Sequence, residues 1–319
     1  MFVDIHKKNI RIYKKTIVIF LALLLPFTFF PLTGCGKKHE PYVSSSTELR
    51  DNTPLCLTPT SPGDVVFENE LVSVDASNSS EGYITVTYLG DSSLVKLQVT
   101  GPDYMTYTYD ITDNEPEIFP ISAGNGGYTI GVYENVEGNQ YATIFTEESE
   151  FNITNEKGAF LYPNQYVKFD ENSEPVRAAV DIVKDAHDDL EAITCVYNYM
   201  INNITYDLEK AENIESGYIP DIDHIWEIKT GICLDYAAVM TSMLRSQRIP
   251  TRMEVGYAGE AYHAWISCYA ENIGWINGLV EFDGKDWSLM DPTVAANQGQ
   301  EALQSFIGNG ENYITKFIY

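Results

Sequence analysis

The chain has 319 residues, of which 20 are Lys or Arg and 46 are Asp or Glu, for a formal net charge of −26 at pH 7. A field of that sign repels nucleic acid and anionic lipid, so neither is expected as a partner, whereas basic peptide segments are attracted. With 44% hydrophobic residues there is material for a sizeable core, and five cysteines are too few for a disulfide framework.

Lys7, Lys8, Arg11, Lys14 and Lys15 precede an apolar run from Thr16 to Pro31, which Pro26 interrupts and Leu32-Thr33-Gly34-Cys35 follows. A basic head, a short apolar body and small residues at a cleavage point describe a secretory signal over residues 1–34, since a membrane span needs ~20 uninterrupted apolar residues. The Leu-Thr-Gly-Cys ending resembles a bacterial lipobox. That resemblance implies lipidation of Cys35, export, and attachment to the outer face of the bacterial cell membrane. Without residues 1–34, 20 basic residues less five and 46 acidic less one leave a net charge of −30.

Residues 35–63 are rich in Ser, Thr, Pro and Lys, including Ser44-Ser45-Ser46 and Pro59-Thr60-Ser61-Pro62. Such a composition buries too little apolar surface to fold alone and is expected to be a flexible tether. Residues 64–155 then have the period of strands. Tyr83 to Tyr88, Leu94 to Thr100, Tyr104 to Ile111, Tyr128 to Tyr133 and Tyr141 to Thr146 are β-branched or aromatic and are punctuated by Gly, Asn and Asp. The expectation is an all-β, Ig-like antiparallel sandwich, with Val136-Glu137-Gly138-Asn139 as the last hairpin connection. Its many tyrosines could form a sugar- or peptide-binding face, but the simpler reading is that of ordinary half-buried strand residues.

A linker over 156–175 leads to helical spacing in the final region, 176–319. Val176 to Ala186 is one helix. Asp188 caps a second, on which Leu190, Ile193, Tyr197, Met200, Ile201 and Ile204 recur. Asp221-Ile222-Asp223-His224 reads as a polar loop, and no metal or cofactor site is expected. Gly231 allows a tight turn, and Cys233 then starts a helix to about Gln247, with Ala237, Met240 and Leu244 on its own face. A strand bearing Met253, Val255 and Tyr257 comes next. On the strand after it, His263, Trp265, Ser267 and Tyr269 share one face. An insertion from Ala270 to Val280, with Trp275, is placed at a rim of the cleft. Asp283-Gly284 signals a hairpin, and Trp287 to Met290 returns to Asp291-Pro292-Thr293. Cys195 and Cys268 read as small buried hydrophobes; a Cys56–Cys195 bridge has no geometric support.

Gly231-Ile232-Cys233-Leu234-Asp235-Tyr236-Ala237, Tyr262-His263-Ala264-Trp265 and Met290-Asp291-Pro292-Thr293 together resemble the Cys-His-Asp core of the transglutaminase-like superfamily. The Asn202-Asn203-Ile204-Thr205-Tyr206 ending before the nucleophile helix also resembles the family. One departure is Arg248, where the family usually has Gly directly before Ile-Pro; a side chain in a left-handed cap there would cost ~1 kcal/mol. The resemblance implies an α+β, papain-like cysteine protease core over 176–319, following the sandwich in a multidomain chain. Cys233 would be the nucleophile, His263 its base and Asp291 the carboxylate that orients the imidazole.

A thiol at a helix N-terminus beside an imidazole is expected to fall several units below ~8.5. Attack on an amide carbonyl would give a thioester, resolved by water or by an amine. The oxyanion needs two donors: the Cys233 N–H, and either Tyr206 or Trp226. The expected substrate is a peptide or protein, cell-wall peptide included, and the expected activity is that of a peptidase, amidase or protein-glutamine acyltransferase. The alternative is a surface binding or scaffold protein that keeps the fold without turnover.

Overall fold

A computed structural model describes residues 44, 46–111, 114–215, 217–258, 261–271, 273–282, 287–289 and 313–319. The expected signal at 1–34, Cys35, the Asp283-Gly284 turn and Asp291 lie outside the described residues. Residues 40–319 cluster as one compact unit.

Alternation of apolar and polar residues builds the N-terminal region. Its strands are β1 (Val66–Glu68), β2 (Val72–Asp75), β3 (Tyr83–Tyr88), β4 (Val95–Thr100), β5 (Thr106–Ile111), β6 (Glu117–Pro120), β7 (Gly126–Glu137) and β8 (Gln140–Phe151). They form two antiparallel sheets, ordered β1-β2-β3-β6 and β5-β4-β7-β8. Val95, Leu97 and Val99 of β4 are buried while Lys96, Gln98 and Thr100 between them are half-buried. The five anticipated strands are present, the one at Tyr83–Tyr88 with the expected ends and the other four with shifted ends. β1, β2 and β6 were not anticipated, because each is only three or four residues long and carries too few periods to read. Gly138, at φ 55°, turns β7 into β8 as expected.

The second region begins with α1 (Glu174–Ile182) and α2 (Asp189–Asn203), the latter capped by Asp188 Oδ1, which accepts from Glu191 N–H at 2.9 Å. Next come β9 (Thr205–Tyr206), α3 (Leu208–Asn213), α4 (Ile222–Ile228), β10 (Thr230–Gly231) and α5 (Cys233–Ser246). The expected loop at 221–224 is instead the start of α4. Asp221 accepts from His224 N–H at 3.1 Å, so these polar residues cap and open a helix. Every residue of α5 from Asp235 to Ser246 is buried, which makes it the central helix. It packs on a sheet ordered β14-β13-β12-β11-β15, made of β11 (Thr251–Ala258), β12 (Ala261–Ala270), β13 (Gly274–Phe282), β14 (Trp287–Leu289) and β15 (Tyr313–Ile318). One continuous core joins both regions through Tyr107, Tyr109, Tyr166 and Tyr319.

The expected tether does not hang free from Arg50 onward. Arg50 N–H donates to Ala186 O at 3.0 Å, and Arg50 Nε meets Asp189 Oδ1 at 2.6 Å. Leu55 N–H reaches Ser246 O at 2.7 Å, and Thr60 N–H reaches Tyr83 Oη at 3.1 Å. The segment cannot fold by itself, yet it finds partners on helices more than 130 residues away. Arg248 takes φ 63°, the left-handed cap its position implied, and its guanidinium meets Asp51 Oδ2 of the same strap at 2.8 Å. Cys56 and Cys195 are both free thiols.

Candidate active site

The site is assembled around the start of α5. β10 pairs with β9 in parallel, Gly231 against Tyr206, which brings Tyr206 beside the turn that leads into Cys233. Asp235, in the first turn of α5, folds its carboxylate back so that Oδ2 accepts from Ile232 N–H at 2.9 Å. That return fixes Gly231: a Cβ there would stand 2.7 Å from Asp235 Cβ. The fully buried Asp235 carboxylate also takes Lys210 Nζ at 2.5 Å and Tyr218 OH at 2.7 Å. A buried carboxylate with one cation and two further donors is satisfied, so the turn that leads into Cys233 is held in place.

Cys233 Sγ accepts hydrogen bonds from the N–H groups of Ala264 and Leu234 and from the Tyr206 hydroxyl. Ala264 directly follows His263, so the contact seats the thiol at β12 one residue from the imidazole. His263 is 9% exposed, and its Nε2 has no hydrogen-bond partner among the described residues. Its strand neighbour across the sheet is Gly256, where a Cβ would come within 2.0 Å of Ile314 O. Trp265 lies beside the imidazole, ring centroids 6.5 Å apart and planes at 24°. Trp265 Nε1–H is anchored on Glu254 Oε2 at 3.2 Å. The same buried carboxylate takes Ser267 Oγ at 2.5 Å and Thr315 Oγ1 at 2.8 Å.

Cys233, His263 and Tyr206 line one cavity of about 530 Å³, with Tyr166, Tyr218, Tyr262, Phe317 and Tyr319 among its walls. Tyr206 also receives the Cys233 N–H on its hydroxyl oxygen, and burial first, then the neighbouring thiol, pushes its pKa up to about 12. It therefore stays a neutral donor. Trp226, the other oxyanion candidate, is not among the lining residues. It stacks on Tyr199 at 5.0 Å with Lys229 Nζ 3.3 Å above its ring, because α4 turns that face outward from the cavity. Trp275 likewise stands away from the cleft, between Phe160 and the Arg252 guanidinium.

Electrostatics corrects one expectation. Burial pushes the Cys233 thiol above its ordinary range; the donors from Ala264, Leu234 and Tyr206 offset this only in part, and the Asp235 charge adds to the rise. Burial also holds His263 below the usual imidazole value. The resting pair at neutral pH is thus thiol and imidazole, not thiolate and imidazolium. Cys56 and Cys268 are pushed up to about 11 and about 12, and Cys195 is raised as well, in each case by burial first. Acidity does not set Cys233 apart from these; its place on the cavity wall does.

Residues 176–278 match the model of the transglutaminase-like superfamily. They belong to that superfamily. The transglutaminase-like domain thus holds Cys233, His263 and Tyr206. Among solved structures the chain aligns with a candidate cysteine protease from Cytophaga hutchinsonii at 15% identity, over 66% of this chain and 67% of that one, with a TM-score of 0.34. It also aligns with the periplasmic domain of TgpA from Pseudomonas aeruginosa bound to ethylmercury, at 13% identity over 72% and 75%, with a TM-score of 0.31. Red sea bream transglutaminase aligns at 14% identity over 70% and 53%, with a TM-score of 0.28. No curated protein matches the sequence.

From the sequence, Asp235 and Tyr262 were named within the motifs but given no role, and Lys210 and Tyr218 were not named. Asp235 had a legible signal, an acidic residue three positions after the helix cap. Lys210 and Tyr218 had none, since they reach the site from a separate helix and loop.

Proposed function

We propose that the transglutaminase-like domain is a cysteine-nucleophile enzyme acting on amide bonds of peptides or proteins. The observation that carries this reading is the Cys233 thiol, held at the start of a buried helix against the N–H next to His263 and facing one cavity with it. His263 takes the thiol proton as sulfur attacks the carbonyl carbon. The carbonyl electrons move to oxygen, where the Cys233 N–H and the Tyr206 hydroxyl donate. Collapse breaks the C–N bond, His263 returns the proton to the leaving nitrogen, and a thioester remains. Water or an amine then attacks the thioester and frees the sulfur. The family resemblance assigns to Asp291 the role of orienting the imidazole.

The test is incubation with a glutamine peptide and a fluorescent amine. Incorporation means acyl transfer, ammonia or cleavage without incorporation means hydrolysis, and Cys233→Ala is expected to abolish both while the fold melts unchanged. Persistence of turnover in Cys233→Ala would rule the mechanism out. The raised thiol favours a second reading, a binding or scaffold protein without turnover. It predicts that iodoacetamide labels Cys233 no faster than Cys195 or Cys268.

The same proposal includes an immunoglobulin-like arrangement of the N-terminal sheets, supported by the chain crossing between sheets after β3, β5 and β6. A crystal structure in which the two sheets do not face each other would refute it. It also includes export with a lipid on Cys35, for which Cys35→Ser should abolish incorporation of labelled palmitate in cells; undiminished labelling would exclude that site.

A further inference from the structure

Thr108 of β5, some 125 residues before the nucleophile, lines the same cavity as Cys233, His263 and Tyr206. Its strand alternates. Tyr107 and Tyr109 turn inward and are buried, whereas Thr106 and Thr108 face outward and are exposed. The inward pair clamps β5 to the C-terminal strand. Tyr107 meets the rings of Phe317 and Tyr319 at 5.5 and 5.8 Å, Tyr109 meets Tyr319 at 6.0 Å, and Ile318 N–H donates to Tyr107 Oη at 3.3 Å. Ser122 Oγ adds a bond to Ile318 O at 3.0 Å. Thr108 is thereby fixed relative to the catalytic sheet, and Gln98 Nε2 steadies its hydroxyl at 3.3 Å.

Two further observations shape the space in front of it. β5 is the edge of its sheet, so among the described residues no neighbouring strand covers its outer side. Opposite, the segment between α3 and α4 contributes Ile214, Glu215, Gly217 and Tyr218 to the cavity, and a Cβ on Gly217 would stand 3.7 Å from Asp110 Oδ2 of β5. Cys233 therefore lies in a slot with one wall from each region. Its volume of about 530 Å³ is within the roughly 300–1,000 Å³ of ligand sites and exceeds what one carboxamide side chain fills. Aromatic walls and the Glu215 carboxylate suit an occupant with apolar side chains and a polar backbone.

We propose that the N-terminal sheets supply the far wall of the substrate cleft. Thr108 contacts a bound peptide segment and sets which peptides reach Cys233. This rests on Cys233 being the nucleophile, but it adds that the transglutaminase-like segment alone is an incomplete binding site.

The test compares two alkylating probes of the full chain, iodoacetamide and a tripeptide chloromethyl ketone, as the ratio of their rates at Cys233. Thr108→Trp should lower the peptide-to-iodoacetamide ratio at least tenfold by filling the slot. Thr106→Trp, on the same face of β5 but outside the cavity, should leave it unchanged. An unaltered ratio in Thr108→Trp, with both probes still labelling Cys233, overturns the wall and leaves the nucleophile standing. Failure of iodoacetamide to label Cys233 in the unsubstituted chain overturns the nucleophile and the wall together, whereas failure of the peptide ketone alone overturns the peptide-binding wall and leaves the nucleophile standing. Should Thr108→Trp not fold, Thr108→Ala takes its place: a ratio changed at least threefold supports the contact, and an unchanged one removes it.

Discussion

The two ends of α5 have opposite designs. At its start, Cys233 accepts three hydrogen bonds yet faces a cavity, and Asp235 beneath it is satisfied by Lys210, Tyr218 and Ile232 N–H. At its end, the fully buried Arg245 guanidinium meets main-chain oxygens among the described residues, those of Thr251 at 3.0 and 2.8 Å, Tyr162 at 2.6 Å and Tyr319 at 2.8 Å. Burial lowers Arg245 to about 9. One end spends its polar contacts on keeping a reactive group accessible in a fixed turn; the other spends them on joining β11, β15 and the interdomain bridge. Chemistry and cohesion are thus separated by the length of one helix, and substitutions at each end should fail in different ways.

The largest effect is expected at the cohesive end. Arg245→Met takes the guanidinium donors from Thr251 O and Tyr162 O and leaves Tyr319 O with Met253 N–H alone; at about 1–3 kcal/mol for each unpaired group, urea unfolding should show a loss of at least about 2 kcal/mol. Equal stability would mean that water replaces the guanidinium. At the reactive end, Tyr206→Phe removes a donor beside the sulfur and should lower kcat roughly 10²-fold with KM and stability little changed. A change in KM alone would assign Tyr206 to substrate binding.

The pH dependence of labelling comes next. With the thiol raised and the imidazole lowered, thiolate is scarce below the ordinary cysteine range, and neutral His263 persists below the ordinary imidazole value. Iodoacetamide labelling of Cys233 should therefore climb about tenfold per unit from pH 7 to 9, with no plateau between pH 5 and 7. Such a plateau would reveal a thiolate–imidazolium pair instead.

Asp235→Asn keeps the acceptor for Ile232 N–H but removes the charge facing Lys210. It should cost about 1–2 kcal/mol in unfolding. It should also speed labelling a few-fold at pH 7, because that charge raises the thiol. Slower labelling would show that the turn had moved. The smallest effect belongs to Arg248→Gly, in which relief of the left-handed backbone offsets loss of the exposed Asp51 pair, so the urea midpoint should barely move; a clear fall would show that the strap contact matters more than the backbone.

Much of this architecture was legible beforehand. The α2 cap at Asp188, the α5 bounds and the shared strand of His263 and Trp265 follow from periodicity and capping within a few residues, whereas the left-handed position of Arg248 was implied by the family resemblance. Tyr206 was legible as one of two candidates, but its choice over Trp226 depended on the two-residue pairing of β9 with β10. The strap at 50–60 was misread because its composition is that of a segment with no core of its own, and the partners that order it lie on α2 and α5.

By itself the sequence determined the transglutaminase-like core over 176–278, the order of its elements and the approach of Cys233 to the His263 strand, since these are written in local spacing and in the motifs around Cys233 and His263. Tertiary structure alone decided that burial outweighs the helix terminus at Cys233, that Asp235 is held by Lys210 and Tyr218, and that Thr108 closes the cleft from the other region. Each of those depends on desolvation or on contacts between distant segments, and neither has a signature within a window of neighbouring residues.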